Sequence, residues 1–248
     1  MARAAQRGGV LLRLLRLAVL LLLGWVLLTA TPVLLLRWLH PLTSAFMLEA
    51  CIGAWRAGEH NYRTDFQWVS LEQISPHAAI AVIASEDQQF PFHAGFDLNS
   101  IRQAVRDSER GKRLRGASTI SQQVAKNLFL WPGYSLVRKG LEAYFTVLIE
   151  TLWPKERILE MYLNVAQFGD GIYGVQAAAW RFWHKPALRL SPADAALLAA
   201  VLPNPLRLHA ERPSRYVLQR RDWILGQMRD LGGAAYLRAL ESERRTPR

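Results

Sequence analysis

The sequence predicts a mainly α-helical protein led by one membrane-spanning helix. Three observations carry this. An uncharged, Leu-rich run of 20 residues extends from Leu17 to Leu36. Beyond Asp97, apolar residues recur at helical spacing almost throughout. No convincing alternating strand run and no internal repeat stands out. With 248 residues, 51% of them hydrophobic, the chain can hold one large domain or two small ones around a sizeable core.

At about 1.5 Å per residue, Leu17 to Leu36 is long enough to cross the roughly 30 Å hydrocarbon layer of a bilayer. Arg3, Arg7, Arg13 and Arg16 precede the run and Arg37 follows it. The positive-inside bias then puts residues 1–16 in the cytoplasm and the rest outside. Pro32, near the far end, is tolerable in such a helix. The competing reading is a cleaved signal peptide. Against it, the apolar run is longer than an ordinary signal core, and Thr29-Ala30-Thr31 makes a poor cleavage site. The sequence reading therefore divides the chain into a basic tail (1–16), an anchor (17–36), a juxtamembrane stretch (37–67) and a globular domain (68–248).

The formal net charge is +11, of which residues 1–37 carry +5, leaving +6 for the remainder. A basic balance points to nucleic acid, an anionic membrane surface or an anionic substrate. No helix-turn-helix, zinc-finger or RNP pattern is present, so nucleic acid is not an expected partner, and the apolar N-terminal run favours the membrane. Cys51 is the single cysteine, which excludes an intrachain disulfide and a Cys-rich zinc site.

Trp38, Phe46, Met47, Leu48, Trp55 and Tyr62 punctuate the stretch from Trp38 to Asp65. This reads equally as interfacial aromatics beside a membrane or as a first helix of the domain. Ser75-Pro76 reads as N-cap and first residue of a helix ending at Glu86. Asp97 can cap the next helix, bearing Leu98, Ile101, Ala104 and Val105. A basic loop, Gly111 to Gly116, follows. Further helices are expected at 118–130, 136–153, 155–166, 171–183, 191–202, 214–230 and 233–242, and the charged tail after Leu240 is expected to fray.

Candidate chemistry centres on Ala84 to Asp97. The apolar run Ala78 to Ile83 delivers two adjacent carboxylates, Glu86 and Asp87, before the chain breaks at Pro91 and Gly95. Burial would raise the proton affinity of such an acid and suit it to proton transfer. A helix that simply ends in Glu-Asp is the plainer alternative. On the helix after Ser118, Ile120, Val124 and Leu128 share one face, while Thr119, Gln122 and Lys126 point away from it. That second face reads as solvated, or as a polar wall with a cation beside a turn offering N–H groups to an anion. Arg138 and Glu142 are spaced as an i,i+4 ion pair, or as a cationic clamp beside a second acid.

The order of these pieces is more specific than any one of them. Glu86-Asp87, Phe90, His93, Gly95 and Asp97 are followed by Gly116-Ala-Ser118-Thr119, Gln122-Gln123 and Lys126-Asn127. Then come Arg138-Lys139, Glu142, Arg157-Ile158-Leu159, Tyr162-Leu163-Asn164, Gly169 to Val175, Leu190-Ser191-Pro192 and Leu202-Pro203-Asn204-Pro205. From about Trp68 to Pro205 this resembles the peptidoglycan glycosyltransferase family, the polymerase modules of bifunctional penicillin-binding proteins. No Ser-x-x-Lys with a later Lys-Thr-Gly appears, so the likeness is to the stand-alone form.

The resemblance implies a lysozyme-like helical head with a small hydrophobic jaw against the bilayer. It implies lipid II as acceptor, a growing lipid-linked glycan as donor, and an inverting β-1,4 transfer that releases undecaprenyl pyrophosphate. By motif position Glu86 is the base that takes the acceptor hydroxyl proton. Lys126, Arg138 and Lys139 would stabilise the departing pyrophosphate. Ser118, Thr119, Gln122 and Asn127 would position sugar and phosphate oxygens. Glu142, the second glutamate, would orient the cations, hold a metal, or assist departure of the leaving group. Asp87, Phe90, His93, Asp97 and Gly116 are supporting residues. No cofactor is obligatory, and Mg²⁺ or Mn²⁺ bridging the pyrophosphate is compatible with the chemistry. Other cell-wall synthases or division proteins are candidate partners. The expected location is the bacterial inner membrane, with the catalytic domain outside the cytoplasm. Two features depart from the family pattern. Tyr134 stands where an arginine is often found, so that pyrophosphate contact is either missing or supplied by Arg113 or Arg115. Leu206-Arg207-Leu208-His209 replaces a Tyr-x-Pro.

Two other readings compete. A lytic transglycosylase would cut glycan with one acid and would need no cation cluster. An inactive membrane-anchored scaffold would be expected to have lost Glu86 or Lys126, and both are present.

Overall fold

A computed structural model describes residues 2–109 and 118–238. The chain divides into two compact units, residues 1–40 and 41–248. The expected fraying tail and the basic loop with Gly116, Arg113 and Arg115 lie outside the described residues.

The first unit is one helix, α1, Ala2–Leu35, of 34 residues. Its span Leu12–Leu35 has mean hydropathy 2.3 and is long and apolar enough to cross a membrane. Pro32 lies inside the helix, close to its end.

The second unit begins with α2, Ala45–Arg56, whose N-cap Ser44 accepts the N–H of Met47. Residues 41–67 therefore pack with the helical body: α2 lies on α5 (Ile120–Phe129), and Asp65–Phe66 forms a strand, β1. Next comes α3, Pro76–Glu86, starting on the expected Ser75-Pro76 cap. Its residues Ala78 to Ala84 are all buried, as a nearly all-apolar helix must be. Ser75 Oγ also donates to Leu190 O at 2.8 Å, fixing the entry of the helix.

After α4, Leu98–Glu109, the described chain resumes at Ser118 and enters α5. Then follow α6, Leu136–Leu152, and α7, Lys155–Val165. The expected helix at 171–183 is shorter. Gln167–Gly169 (β2) and Ile172–Tyr173 (β3) form a small sheet with β1, and α8 starts only at Val175. The strand order is β1-β3-β2, with β1 parallel and β2 antiparallel to β3. Strands of two and three residues, with a register shift between Gln167 and Gly169, carry no alternation to detect. Gly174 marks the helix boundary. Its φ is +84°, and a Cβ there would stand 2.5 Å from Asn164 O.

The chain closes with α9, Pro192–Val201, and α10, Arg215–Asp230. The expected helix at 233–242 is a 3₁₀ turn over Gly233–Leu237 in its described part. Two buried helices organise this unit. α3 is packed by α9 and α10, and α5 by α6 and α7. Where the C-terminus of α3 meets the N-terminus of α5, the candidate residues converge.

Candidate active site

Glu86 is the last residue of α3, where the buried helix runs out toward a cleft. Its side chain is 15% exposed. Gln123 Nε2 donates to Glu86 Oε2 at 2.9 Å, and the Tyr162 hydroxyl donates to Gln123 Oε1 at 3.1 Å. An ionised carboxylate can only accept, so the NH2 end of the amide faces the acid, and the Tyr162 hydroxyl satisfies the other end. On the other side, Arg220 NH2 lies 3.7 Å from Glu86 Oε1. Burial pushes the proton affinity of Glu86 above the usual carboxylate range. The Gln123 bond and the charges of Arg220 and Lys126 oppose that rise, while Asp87 adds to it. The cleft measures about 270 Å³, and Glu86, Asp97, Ser118, Thr119 and Trp223 are among its lining residues.

Asp87 borders the same cleft, but its carboxylate is taken up by the protein itself. It is buried, with both oxygens engaged by His93 Nε2 at 2.9 and 3.0 Å. Oδ2 also accepts the backbone N–H of Ile120 at 3.0 Å. His93 Nδ1 accepts the N–H of Gly95 at 3.1 Å, so the ring proton sits on Nε2 and points at Asp87. Phe90 is fully buried beneath this loop, with Lys155 Nζ 4.6 Å from its ring centroid. Asp97 caps α4 through the N–H groups of Asn99 and Ser100. Burial pushes its carboxyl up, but the Ser100 and Asn99 bonds outweigh that and hold it below the usual range.

Thr119 and Gln122 form a reciprocal capping box at the start of α5, and Thr119 Oγ1 donates to Gly95 O at 2.6 Å. Both are buried, so the face read from the sequence as solvated or as a polar wall is packed at this end. The glutamine that reaches the acid is Gln123, not Gln122. Ser118 is exposed at the cleft, and Asn127 is buried with Oδ1 making no hydrogen bond.

A second group is built on α6. Arg138 and Glu142 are buried, and Arg138 NH1 donates to Glu142 Oε2 at 2.8 Å. Lys139 Nζ holds the other oxygen, Oε1. Lys126 lies within electrostatic reach of both Glu142 and Glu86, and 5.4 Å from the ring centroid of Phe46. Burial pushes its ammonium pKa down; Glu142 and Glu86 raise it, and Arg138 and Lys139 lower it further. Lys126 makes no ion pair with a described residue, and the cluster of three cations and one carboxylate keeps an excess of two positive charges. Among the described residues no three His, Cys, Asp or Glu side chains cluster to hold a metal. Both oxygens of Glu142 are already committed to cations. The described side chains of this cluster therefore form no metal cage.

Residues 55–229 match the family model described as Transglycosylase. The chain belongs to the transglycosylase family. It is 54% identical over 238 residues to the biosynthetic peptidoglycan transglycosylase of Pectobacterium carotovorum subsp. carotovorum (strain PC1), covering 94% of this chain and 96% of that one. To the protein of the same description from Xanthomonas campestris pv. campestris (strain B100) it is 58% identical over 207 residues, 84% of each chain. To that from Salmonella paratyphi B (strain ATCC BAA-1250 / SPB7) it is 60% identical over 195 residues, 78% of this chain and 81% of that one.

This transglycosylase match begins in α2 and ends in the last turn of α10, wider on both sides than the motif blocks from Trp68 to Pro205. The extension matters for the site. α10 brings Arg220 to Glu86, Trp223 to the cleft and Gln227 to Gln88, whose amide it meets at 2.8 Å. Their i, i+3, i+7 spacing is the one sequence signal that sets them on a common face. A buried Lys155–Glu150 pair at 2.8 Å, with Ser121 on the same carboxylate oxygen, is a further support that sequence reading missed.

Proposed function

We propose that this peptidoglycan glycosyltransferase polymerises lipid II into β-1,4 glycan, with Glu86 as general base and inversion at the donor carbon. The observation that carries the reading is Glu86 itself: a carboxylate delivered by a buried helix to a cleft, with Oε2 held by Gln123 and proton affinity raised by burial. The acceptor 4-hydroxyl loses its proton to Glu86 as its oxygen attacks the donor anomeric carbon. The bond from that carbon to the pyrophosphate oxygen breaks on the opposite face, and its electron pair leaves with the pyrophosphate. Lys126, Arg138 and Lys139 supply preorganised positive charge where that negative charge gathers. Glu142 keeps Arg138 and Lys139 in place, a role supported by its two ion pairs. Ser118 and Asn127 are the polar side chains left for sugar and phosphate oxygens, whereas Thr119 and Gln122 shape the α5 terminus. Where a divalent cation takes part, it would arrive on the pyrophosphate oxygens, neutralising charge there.

α1 supports a single-pass anchor in the inner membrane, and the flanking arginines support a cytoplasmic N-terminus. A site held at the membrane interface would meet its lipid-linked substrate by two-dimensional diffusion.

The test is polymerisation of purified lipid II by the detergent-solubilised full chain, with Glu86→Gln alongside. Glycan from wild type and none from the folded variant is the expected result. Cleavage of preformed glycan without synthesis would replace this reading with the lytic one.

A further inference from the structure

Glu86 is held from two sides, and only one holder lies in the motif blocks. On α5, Gln123 occupies Oε2 with a 2.9 Å hydrogen bond. On α10, Arg220 brings its guanidinium to 3.7 Å from Oε1, near enough for charge and too far for a hydrogen bond. A close N–H on Oε1 would occupy one of its two lone pairs and compete there with the incoming proton. A bare charge at this distance favours the anion and leaves that lone pair open.

We propose that Arg220 is a positioning residue for the base: it holds the Glu86 carboxylate as an anion with Oε1 open to the cleft, while Gln123 fixes Oε2. The inference rests on the reading of Glu86 as general base.

The placement of Arg220 is built in rather than incidental. α10 packs on α3, with Val217, Ile224 and Met228 buried. Its register against the end of α3 is locked by Gln88, whose amide meets Gln227 Oε1 and also donates to Ala84 O at 3.0 Å. Tyr236 donates to Gln88 O at 2.6 Å, tying the turn after α10 to the same residue. Arg220 Nε is buried without a hydrogen-bond partner, so no other described group competes for that nitrogen. The other groups facing Glu86 are also accounted for. Asp87 adjoins it and disfavours the anion. Lys126 on α5 favours the anion but belongs to the cluster with Glu142. Tyr162 on α7 acts through Gln123. Asp97 is a further wall of the same cleft. Arg220 is thus the cation nearest the oxygen that faces substrate. Once Glu86 has taken the acceptor proton, the same charge favours its release to water, which resets the base for the next addition.

The experiment compares pH profiles of kcat for lipid II polymerisation by the full chain: wild type, Arg220→Met, Arg220→Lys and Glu86→Gln, each with a thermal melt. The expected result is that the acid limb of Arg220→Met moves to higher pH, so its rate falls more at the acid end than on the plateau. KM for lipid II should change less than kcat, and Arg220→Lys should restore much of the profile. Should Arg220→Met fail to fold, Arg220→Gln carries the same comparison. An acid limb unmoved in a folded Arg220 variant overturns the inference. So does a pH-independent loss with raised KM, which would make Arg220 a substrate grip. Activity retained by Glu86→Gln would instead overturn the underlying reading, whatever Arg220 does.

Discussion

Asp87 Oδ2 accepts the backbone N–H of Ile120 at 3.0 Å, so the carboxylate that follows α3 also anchors the first residue of α5. The two helices that carry Glu86, Gln123 and Lys126 are joined at this buried point. Asp87→Asn would keep the shape but turn an N–H toward a donor. Losing charge-assisted bonds to His93 and Ile120 should cost about 2–3 kcal/mol. The expected outcome is a lowered Tm together with a fall in kcat, because α5 loses its register against Glu86. An Asp87→Asn protein with wild-type Tm would refute the structural role.

Gly95 makes the loop between α3 and α4 possible. Its φ is +85°, and a Cβ would stand 2.7 Å from Thr146 Cγ2 and 2.9 Å from Glu150 Cγ. Gly95→Ala therefore combines a left-handed backbone penalty with overpacking, together about 2–4 kcal/mol. Thr146→Ser removes the clashing methyl. In the Gly95→Ala background it should recover the Thr146 share of the packing cost and leave the Glu150 contact and the backbone part, a partial rescue readable from denaturant unfolding of the single and double variants.

The Lys155–Glu150 pair sits under that loop with 6% and 9% of the side chains exposed, and Lys155 Nζ also donates to His93 O at 2.5 Å. Taking away one buried charge strands the other. Lys155→Met should destabilise by about 3–5 kcal/mol. Adding Glu150→Gln, which can still accept from Ser121, should restore part of that loss. The double variant melting above Lys155→Met is the sign to look for. Strictly additive losses would mean the pair is not coupled.

What could be read without coordinates follows from the range of each interaction. α3 was legible because Ser75-Pro76 and an apolar run are local signals. The charged pair Arg138–Glu142 was legible because i,i+4 spacing fixes proximity. Thr119-x-x-Gln122 is also local, since that spacing is a capping box, but the same polar residues fit a solvated face or a binding wall equally well. The small sheet was not legible, because its two- and three-residue strands are defined by partners far along the chain. Nor was Arg220. Its spacing to Trp223 and Gln227 sets a common face, but only the packing of α10 on α3 brings that face to Glu86. Gln123 lay in view beside Gln122, and choosing between them needed the rotation of α5 that Tyr162 and Glu86 together reveal.

The buried Glu86 carboxylate should weaken the fold at neutral pH. Burial raises the proton affinity of Glu86 in the folded chain above that of the unfolded chain. Between the ordinary carboxylate pKa and the raised value, the folded state binds a proton that the unfolded state has released, so stability falls as pH rises through that window. Above it, the folded chain carries the full cost of a buried anion. Glu86→Gln keeps the shape, and its amide oxygen can still accept from Gln123, without the charge. Its Tm should exceed that of wild type at neutral pH, while polymerase activity is lost. The difference should shrink on acidification and disappear below about pH 4, where both states of wild type are protonated. Paired calorimetric melts across that range check the sign. A variant less stable than wild type at every pH would show that the carboxylate stabilises the fold, and the stability cost assigned to its burial would be wrong.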